Sequence, residues 1–204
     1  ERHFWGSMAR SLKQLDVNNT KVETSYCISK DLRAEQMLVN IPKVSGRLVP
    51  RETISEEEIA VVCYGPSLIK TWTELRKFKK IITCSGSHKF LIDRGIIPTW
   101  HVDLDPRPHK VKMLGEPHKD VEYLIASCCH PNMLEKLEGF NVKLWHIYAN
   151  ESNKELPLSY PRGDWILTGG CNVGLRCLVI ARILGFRNVH IFGMDCSFPK
   201  NRGH

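Results

Sequence analysis

The sequence is short of the features that define membrane, secreted and repeat proteins. Its longest apolar runs fall far below the ~18 residues of a membrane-spanning helix, so we expect no membrane span. The charged and aromatic residues 1–5 do not resemble a signal peptide, and no internal repeat or low-complexity tract is recognisable. These absences favour a globular protein of the cytoplasm.

The usual cysteine motifs are also absent, although the chain contains eight cysteines. No C-x-x-C pair occurs, and Cys63, Cys84 and Cys177 fall inside apolar patterns, where a thiol behaves as a small apolar side chain. The only cluster, Cys128-Cys129-His130, has no second ligand pair and is too little for a zinc site. The sequence therefore predicts free thiols in a reducing compartment.

A positive charge excess is the first feature that is present. The net charge is +7, which favours anionic partners such as nucleotides, phosphosugars, nucleic acid or membrane surfaces. The densest basic run, residues 76–80, lies where a predicted helix ends, and cations are favourable there without any ligand. Because no basic segment is interleaved with exposed aromatic residues, we do not expect a nucleic acid partner.

Residues 59–63 form an apolar run without alternation, which is typical of a strand buried on both faces in a parallel sheet. The turn Gly65-Pro66-Ser67 follows directly. Apolar residues then recur at helical spacing: Leu68, Trp72, Leu75 and Phe78. The N–H groups of such a turn and helix start suit a phosphate, but a plain strand–helix turn fits the spacing equally well.

Strands and helices alternate along the rest of the chain. The predicted strands are 59–63, 81–84, 100–104, 121–126, 142–147 and 189–192, with a short extended segment at 165–167; the predicted helices are 68–78, 88–94, 132–137 and 171–184. This alternation predicts an α/β, Rossmann-like fold, with a mostly parallel sheet of about six strands and helices on both faces.

We predict two parts of the chain. Residues 1–58 form a partly helical N-terminal extension, with a helix capped by Asp31 and ending before Pro42, and with an acidic hinge at residues 55–58. Residues 59–204 form a nucleotide-binding domain. The abrupt end at His204 is consistent with a domain truncated at its C-terminus.

Polar residues follow most of the predicted strands. They are Gly65-Pro66-Ser67, Ser85-Gly86-Ser87, Asp103 with Asp105, Ser127, Asn150 and Asp195. Because ligands bind outside the carboxyl ends of parallel strands, we expect these residues to converge on one site. Thr168-Gly169-Gly170 precedes the predicted helix 171–184, where either a phosphate or a crowded helix–sheet crossing would require glycine.

The pair Asp103-x-Asp105 places two carboxylates on one face of a strand. There they could share Mg²⁺ or polarise substrate hydroxyls. Alternatively, one carboxylate caps the following turn, since Asp before Pro is common in turns. We favour a functional role for Asp105 and leave Asp103 open. Asp195, after Gly193, holds either a substrate hydroxyl or its own loop.

Three of these segments resemble one domain family. Tyr64-Gly65-Pro66-Ser67-Leu68 is similar to the Gly-Pro-Ser-Leu loop shared by motility-associated-factor glycosyltransferases and archaeal 6-hydroxymethylpterin diphosphokinases. Gly95-Ile96-Ile97-Pro98 and Asp103-Leu104-Asp105-Pro106 resemble their second motif, with Thr99 where Asp is usual. Residues 169–195 resemble the third motif, and Gly203-His204 resembles a Gly-x-x-His that often follows.

A more distant similarity links the chain to bacterial lipooligosaccharide sialyltransferases, which use CMP-sialic acid. In that family Asn-Pro stands where Asp105-Pro106 stands here. Its catalytic histidine lies beyond the region that this chain matches.

The resemblance implies a nucleotide-binding transferase. The first hypothesis is a glycosyltransferase that moves a sugar from a CMP-linked nonulosonate donor to a small-molecule or glycan acceptor. It implies that residues 65–67, 85–87 and 168–170 bind the nucleotide, while Asp105 and Asp195 orient hydroxyls. The alternative is Mg²⁺-dependent pyrophosphoryl transfer from ATP, with Asp103 and Asp105 as metal ligands. The third hypothesis is a non-catalytic nucleotide-binding module.

Overall fold

The computed structural model describes residues 28–147, 166–167 and 172–197. Seven strands occur in this part of the chain: β1 (Ser55–Val62), β2 (Lys80–Cys84), β3 (Trp100–Asp103), β4 (Glu122–Ala126), β5 (Val142–Ile147), β6 (Ile166–Leu167) and β7 (Phe186–Phe192). They form one sheet in the order β6-β5-β4-β3-β2-β1-β7, and every pairing is parallel. The Rossmann-like α/β fold predicted from the sequence is confirmed.

The described helices are short. They are α1 (Lys30–Asn40), α2 (Leu68–Thr71), α3 (Ser87–Ile92), α4 (Pro131–Lys136) and α5 (Val173–Ile183), with 3₁₀ turns at Ile41–Lys43, Trp72–Lys77 and Pro108–Leu114. A side-chain oxygen caps the start of each of the two longest of these helices. In α1 the Ser29 side chain accepts the Leu32 N–H, and in α5 the Asn172 side chain accepts the Leu175 N–H. None of the helices in the described residues is long and apolar enough to cross a membrane.

The second half of β1, residues 59–62, is buried on both faces, as its unbroken apolar sequence predicts. Ile59 and Val61 belong to an apolar cluster that includes α5, whereas Ala60 and Val62 belong to a second cluster that includes α2 and α3. All four side chains are completely buried. Helices therefore cover both faces of the sheet, which is why this strand shows no polar alternation.

Three local predictions from the sequence are wrong. The helix predicted to be capped by Asp31 is capped by Ser29, and Asp31 lies in its first turn. The acidic residues 55–58 are not a hinge: they form the first half of β1, because their backbone pairs with β7 from Ser55↔Phe186 to Glu58↔Asn188 while the acidic side chains remain exposed. The predicted helix 68–78 is α-helical only as far as Thr71. Thr71 has φ −112°, outside regular helical geometry, and the chain continues as a 3₁₀ turn.

The chain reverses its direction of travel across the sheet at β1. From β1 the strands are added outward through β6, and the chain then returns through α5 to place β7 on the other side of β1. The carboxyl ends of β1 and β7 are therefore neighbours, with Val62 opposite Phe192. Such a topological switch point is where ligands bind in open α/β sheets.

Candidate functional site

Two loops meet at the switch point: the β1–α2 loop (residues 63–67) and the β7 loop (residues 193–196). The Gly65 N–H donates to the Gly193 carbonyl oxygen at 2.8 Å. The carboxylate of Asp195 accepts both the Ser67 N–H, at 2.7 Å, and the Ser67 hydroxyl, at 2.5 Å. The structure thus brings together two segments that the sequence analysis predicted for one site.

Glycine is required at this junction because the two backbones approach closely. A Cβ on Gly65 would lie 2.5 Å from the Gly193 oxygen and would overlap the Asp195 carboxylate. Gly193 has φ +64°, and a Cβ there would overlap the Cys63 carbonyl oxygen. The two glycines therefore fix the spacing of the loops.

The backbone N–H groups of residues 65–70 are all used within the chain. Besides the bonds of Gly65 and Ser67, those of Leu68, Ile69 and Lys70 donate to carbonyl oxygens three residues earlier, and Pro66 has no N–H. The Asp195 carboxylate occupies the start of α2, where the sequence predicted a phosphate. In this conformation residues 65–70 offer a phosphate no free N–H group.

We expect the bond between Ser67 and Asp195 to contribute measurably to stability. A double-mutant cycle on Ser67→Ala and Asp195→Ala should give a coupling energy of about 1–2 kcal/mol, because both the hydroxyl and the N–H of Ser67 donate to this side chain. Urea unfolding measures the four free energies. The remote pair Ser55→Ala and Asp195→Ala is the control and should be additive. A coupling energy of zero for Ser67 and Asp195 would contradict this assignment.

The β2–α3 loop (residues 85–87) lies beside the β1–α2 loop. Ser85 has a left-handed backbone with φ 51°, and Gly86 packs against the Tyr64 ring. Ser87 is completely buried: its hydroxyl lies 2.7 Å from the Val62 carbonyl oxygen and accepts the Cys84 N–H at 3.0 Å. The Ser87 hydroxyl therefore links the start of α3 to the ends of β1 and β2 and is buried from solvent.

Asp103 is a buried carboxyl that caps its own turn. It is 2% exposed, and its Oδ1 accepts the N–H groups of Leu104 at 2.7 Å and Asp105 at 2.9 Å. Burial raises the pKa of the Asp103 carboxyl to about 6, against the lowering by these two hydrogen bonds. Its Oδ2 lies 4.0 Å from Nε2 of His101, whose pKa burial holds well below its ordinary value.

Asp105 has a different environment from Asp103. The Arg107 guanidinium holds its carboxylate through Nε at 2.9 Å and Nη2 at 2.7 Å, and Lys110 Nζ lies 3.6 Å away. Burial alone would raise the pKa of Asp105, but the bonds from Arg107 and the charge of Lys110 outweigh it and hold the pKa below its ordinary value. Asp105 therefore stays ionised. It holds two cations at the carboxyl edge of the sheet, the edge where the parallel strands end.

The arrangement of Asp103 and Asp105 does not fit the magnesium site that the sequence raised as a hypothesis. One oxygen of Asp103 is bonded to its own backbone, and Arg107 engages both oxygens of Asp105. In the described residues, no group of three or more His, Cys, Asp or Glu side chains could hold a metal ion.

Helix α1 covers part of the carboxyl edge, which the sequence analysis missed. Asn40 donates from Nδ2 to the carbonyl oxygens of Ser127, at 2.9 Å, and Cys129, at 2.7 Å, and Gln36 donates to that of Pro106 at 3.1 Å. Gln36 and Asn40 are four residues apart, so they share one helix face; that polar spacing was the available signal. Ser127 is consequently buried and bonded to His146 at 2.9 Å.

Thr168, Gly169, Gly170 and Asn150 lie outside the described residues. The head of α5, which follows residues 168–170, is described and adjoins the end of β1. A Cβ on Gly174 would lie 2.8 Å from Cys63 Sγ and 3.2 Å from the Met194 methyl carbon. The α5 start is therefore adjacent to the switch point.

Comparison with known proteins places the chain among transferase-related domains. The sequence matches the family described as 6-hydroxymethylpterin diphosphokinase MptE-like over residues 35–201. No curated protein matches it. The solved structures include a similar fold in the MAf glycosyltransferase from Magnetospirillum magneticum AMB-1, with a TM-score of 0.64 and 16% identity.

That likeness covers 96% of this chain but 32% of the glycosyltransferase, so the chain spans about a third of that protein's length. At this identity the likeness concerns the fold. The family resemblance drawn from the sequence motifs is confirmed by the family match, and the similar solved structure supports the fold. Because the family match extends over most of its length, the chain belongs to the 6-hydroxymethylpterin diphosphokinase MptE-like family.

Proposed function

We propose that the chain is the nucleotide-binding domain of a glycosyltransferase that uses a nucleotide-activated sugar of the CMP-linked nonulosonate type. The observation that carries the proposal is the pairing of Asp105 with Arg107 and Lys110 at the carboxyl edge. Arg107 and Lys110 place two cations at this edge, and cations favour the phosphate of the donor. The acceptor is a small molecule or a glycan.

The proposed reaction breaks the bond between the sugar and the donor phosphate, and negative charge develops on the departing nucleotide. Positioned cations stabilise such charge without a metal ion, and Arg107 and Lys110 are suited to this role. Asp105 and Asp195 each keep further lone pairs on their carboxylates, so they can also accept a substrate hydroxyl. Residues 65–67, 85–86 and 168–170 would then form the walls of the nucleotide site.

The second candidate is pyrophosphoryl transfer from ATP to a hydroxymethylpterin, which the description of the family favours. Its metal ligands would be Asp103 and Asp105. As arranged, these residues do not fit magnesium, because Asp105 would first have to release Arg107. We therefore place this candidate second.

A thermal-shift panel of CMP, CDP, ATP and GTP, each with and without Mg²⁺, tests the proposal. We expect CMP to raise the melting temperature without metal. With free CMP at a hundred times its Kd, binding adds ~2.7 kcal/mol to the free energy of unfolding. This corresponds to a rise in melting temperature of roughly 5–10 °C for a domain of this size.

A strict requirement for ATP with Mg²⁺ would favour the diphosphokinase and overturn the first proposal. No shift with any nucleotide would overturn both. Stabilisation by CMP without sugar transfer in the presence of CMP-nonulosonate donors and glycan acceptors would favour the third hypothesis, a non-catalytic nucleotide-binding module.

A further inference from the structure

Tyr64 is an exposed aromatic residue at the carboxyl edge of the sheet. It lies two residues after the end of β1, precedes Gly65, and is 54% exposed. A single exposed aromatic residue is common on protein surfaces and by itself indicates no ligand. What distinguishes Tyr64 is its position beside the switch point and the way in which the adjacent loop holds its ring.

The Tyr64 ring packs against two residues of the segment that follows β2, Gly86 and Phe90. Gly86 lies so close that a Cβ there would be 2.7 Å from both Cδ1 and Cε1 of the ring, so this position accepts only glycine without movement of the ring. Phe90 makes an edge contact, with ring centroids 6.2 Å apart and an interplanar angle of 64°. The loop that holds the ring contains the left-handed Ser85. The ring therefore packs against the β2–α3 loop and α3, although about half of the residue's surface is in contact with solvent.

We propose that the Tyr64 ring, which is partly exposed, stacks on the planar base of the nucleotide that binds at this edge. This inference rests on the proposed function and names the part of the ligand that the ring contacts. Stacking of a base on an aromatic ring tolerates any base, since every base has a π-face. The inference therefore holds for a cytosine or an adenine nucleotide alike.

The spacing of the strands supports this placement. Tyr64 follows β1, whereas Arg107 and Lys110 follow β3, and β2 lies between the two strands. Two strand spacings amount to roughly 10 Å, a span that a nucleoside monophosphate can bridge. A base on Tyr64 would direct its phosphate along the edge towards the cations that pair with Asp105.

Isothermal titration calorimetry on the whole chain tests the inference, with CMP alone and with ATP plus Mg²⁺ as the two ligands. Whichever nucleotide binds the wild type, Tyr64→Ala should raise its Kd about tenfold, and Tyr64→Phe should stay within about twofold, because the ring is retained. Ile69→Ala is the matched control: Ile69 is 66% exposed on the adjacent helix, and its removal should leave Kd unchanged.

Gly86→Ala provides a second variant, which should weaken binding by displacing the ring. Thermal unfolding of each variant shows whether it remains folded. An unchanged Kd in a folded Tyr64→Ala variant would overturn the stacking role but leave the proposed function intact. An equal loss in Tyr64→Phe and Tyr64→Ala would also overturn it, since stacking does not need the hydroxyl. Failure of the wild type to bind either nucleotide would overturn both.

Discussion

Gly193→Ala is expected to lower the free energy of unfolding by about 2–5 kcal/mol. The left-handed φ of +64° costs an alanine about 1–2 kcal/mol, and contact of the new methyl group with the Cys63 carbonyl oxygen adds about 1–3 kcal/mol. A domain has only ~5–15 kcal/mol of stability, so the loss is large. Urea unfolding followed by circular dichroism measures it.

Gly95→Ala is the matched control for this substitution. Gly95 has φ +70°, nearly the same as Gly193, but a Cβ there would meet nothing within 4 Å. Gly95→Ala should lower the free energy of unfolding by the conformational cost alone, about 1–2 kcal/mol. Equal losses at Gly193 and Gly95 would contradict the tight packing of β1 against the β7 loop.

Asp103→Asn should stabilise the protein by up to about 3 kcal/mol near pH 7.5 and by almost nothing near pH 4. The folded-state pKa of Asp103 is raised from 3.8 to about 6, chiefly by burial, so between these values the folded state keeps a proton that the unfolded state has lost. Wild-type stability therefore falls as pH rises from about 4 to about 6. Asparagine carries no charge and keeps an oxygen for the Leu104 and Asp105 N–H groups.

Urea unfolding of both proteins from pH 4 to pH 8 measures this difference. His101 is present in both proteins, so its own titration cancels from the comparison to first order. Asp120→Asn, at a carboxylate whose side chain is 61% exposed, should show no comparable pH dependence. A constant difference between wild type and Asp103→Asn across this range would refute the raised pKa.

Much of the fold follows from the sequence because burial leaves a direct signal in it. The apolar run at residues 59–63 predicts a central parallel strand, and strict strand–helix alternation predicts the sheet. The polar turns after β1 and β7 were predicted to meet, and Ser67 and Asp195 do so. The extension of β1 back to Ser55 was missed, because its acidic side chains point to solvent while only its backbone pairs with β7.

The chemistry of the individual site residues was less predictable. The motif Asp103-x-Asp105 does not indicate which carboxyl has a raised pKa and which a lowered one. Burial raises the pKa of Asp103, and the paired hydrogen bonds from the Arg107 guanidinium help to lower that of Asp105. The sequence Asp105-Pro106-Arg107 places an arginine two residues after the carboxylate, and this spacing could have indicated the pair. The role of Ser87 could not be assigned from the sequence. A serine at a helix start can cap the helix, bind a ligand or bond to a neighbouring strand, depending on the groups packed around it.

The position of β7 beside β1 has a consequence for folding during synthesis. Ser67 and Asp195 are separated by 128 residues, so their contact has a high sequence separation and is slow to form by chain diffusion. A ribosome adding ~5–20 residues per second makes Asp195 roughly ten seconds after Ser67. During that interval β1 is available with its β7 side unpaired, and a nascent chain exposes this edge to other strands. Among the strands that the structure describes, β7 is thus the last to join the sheet.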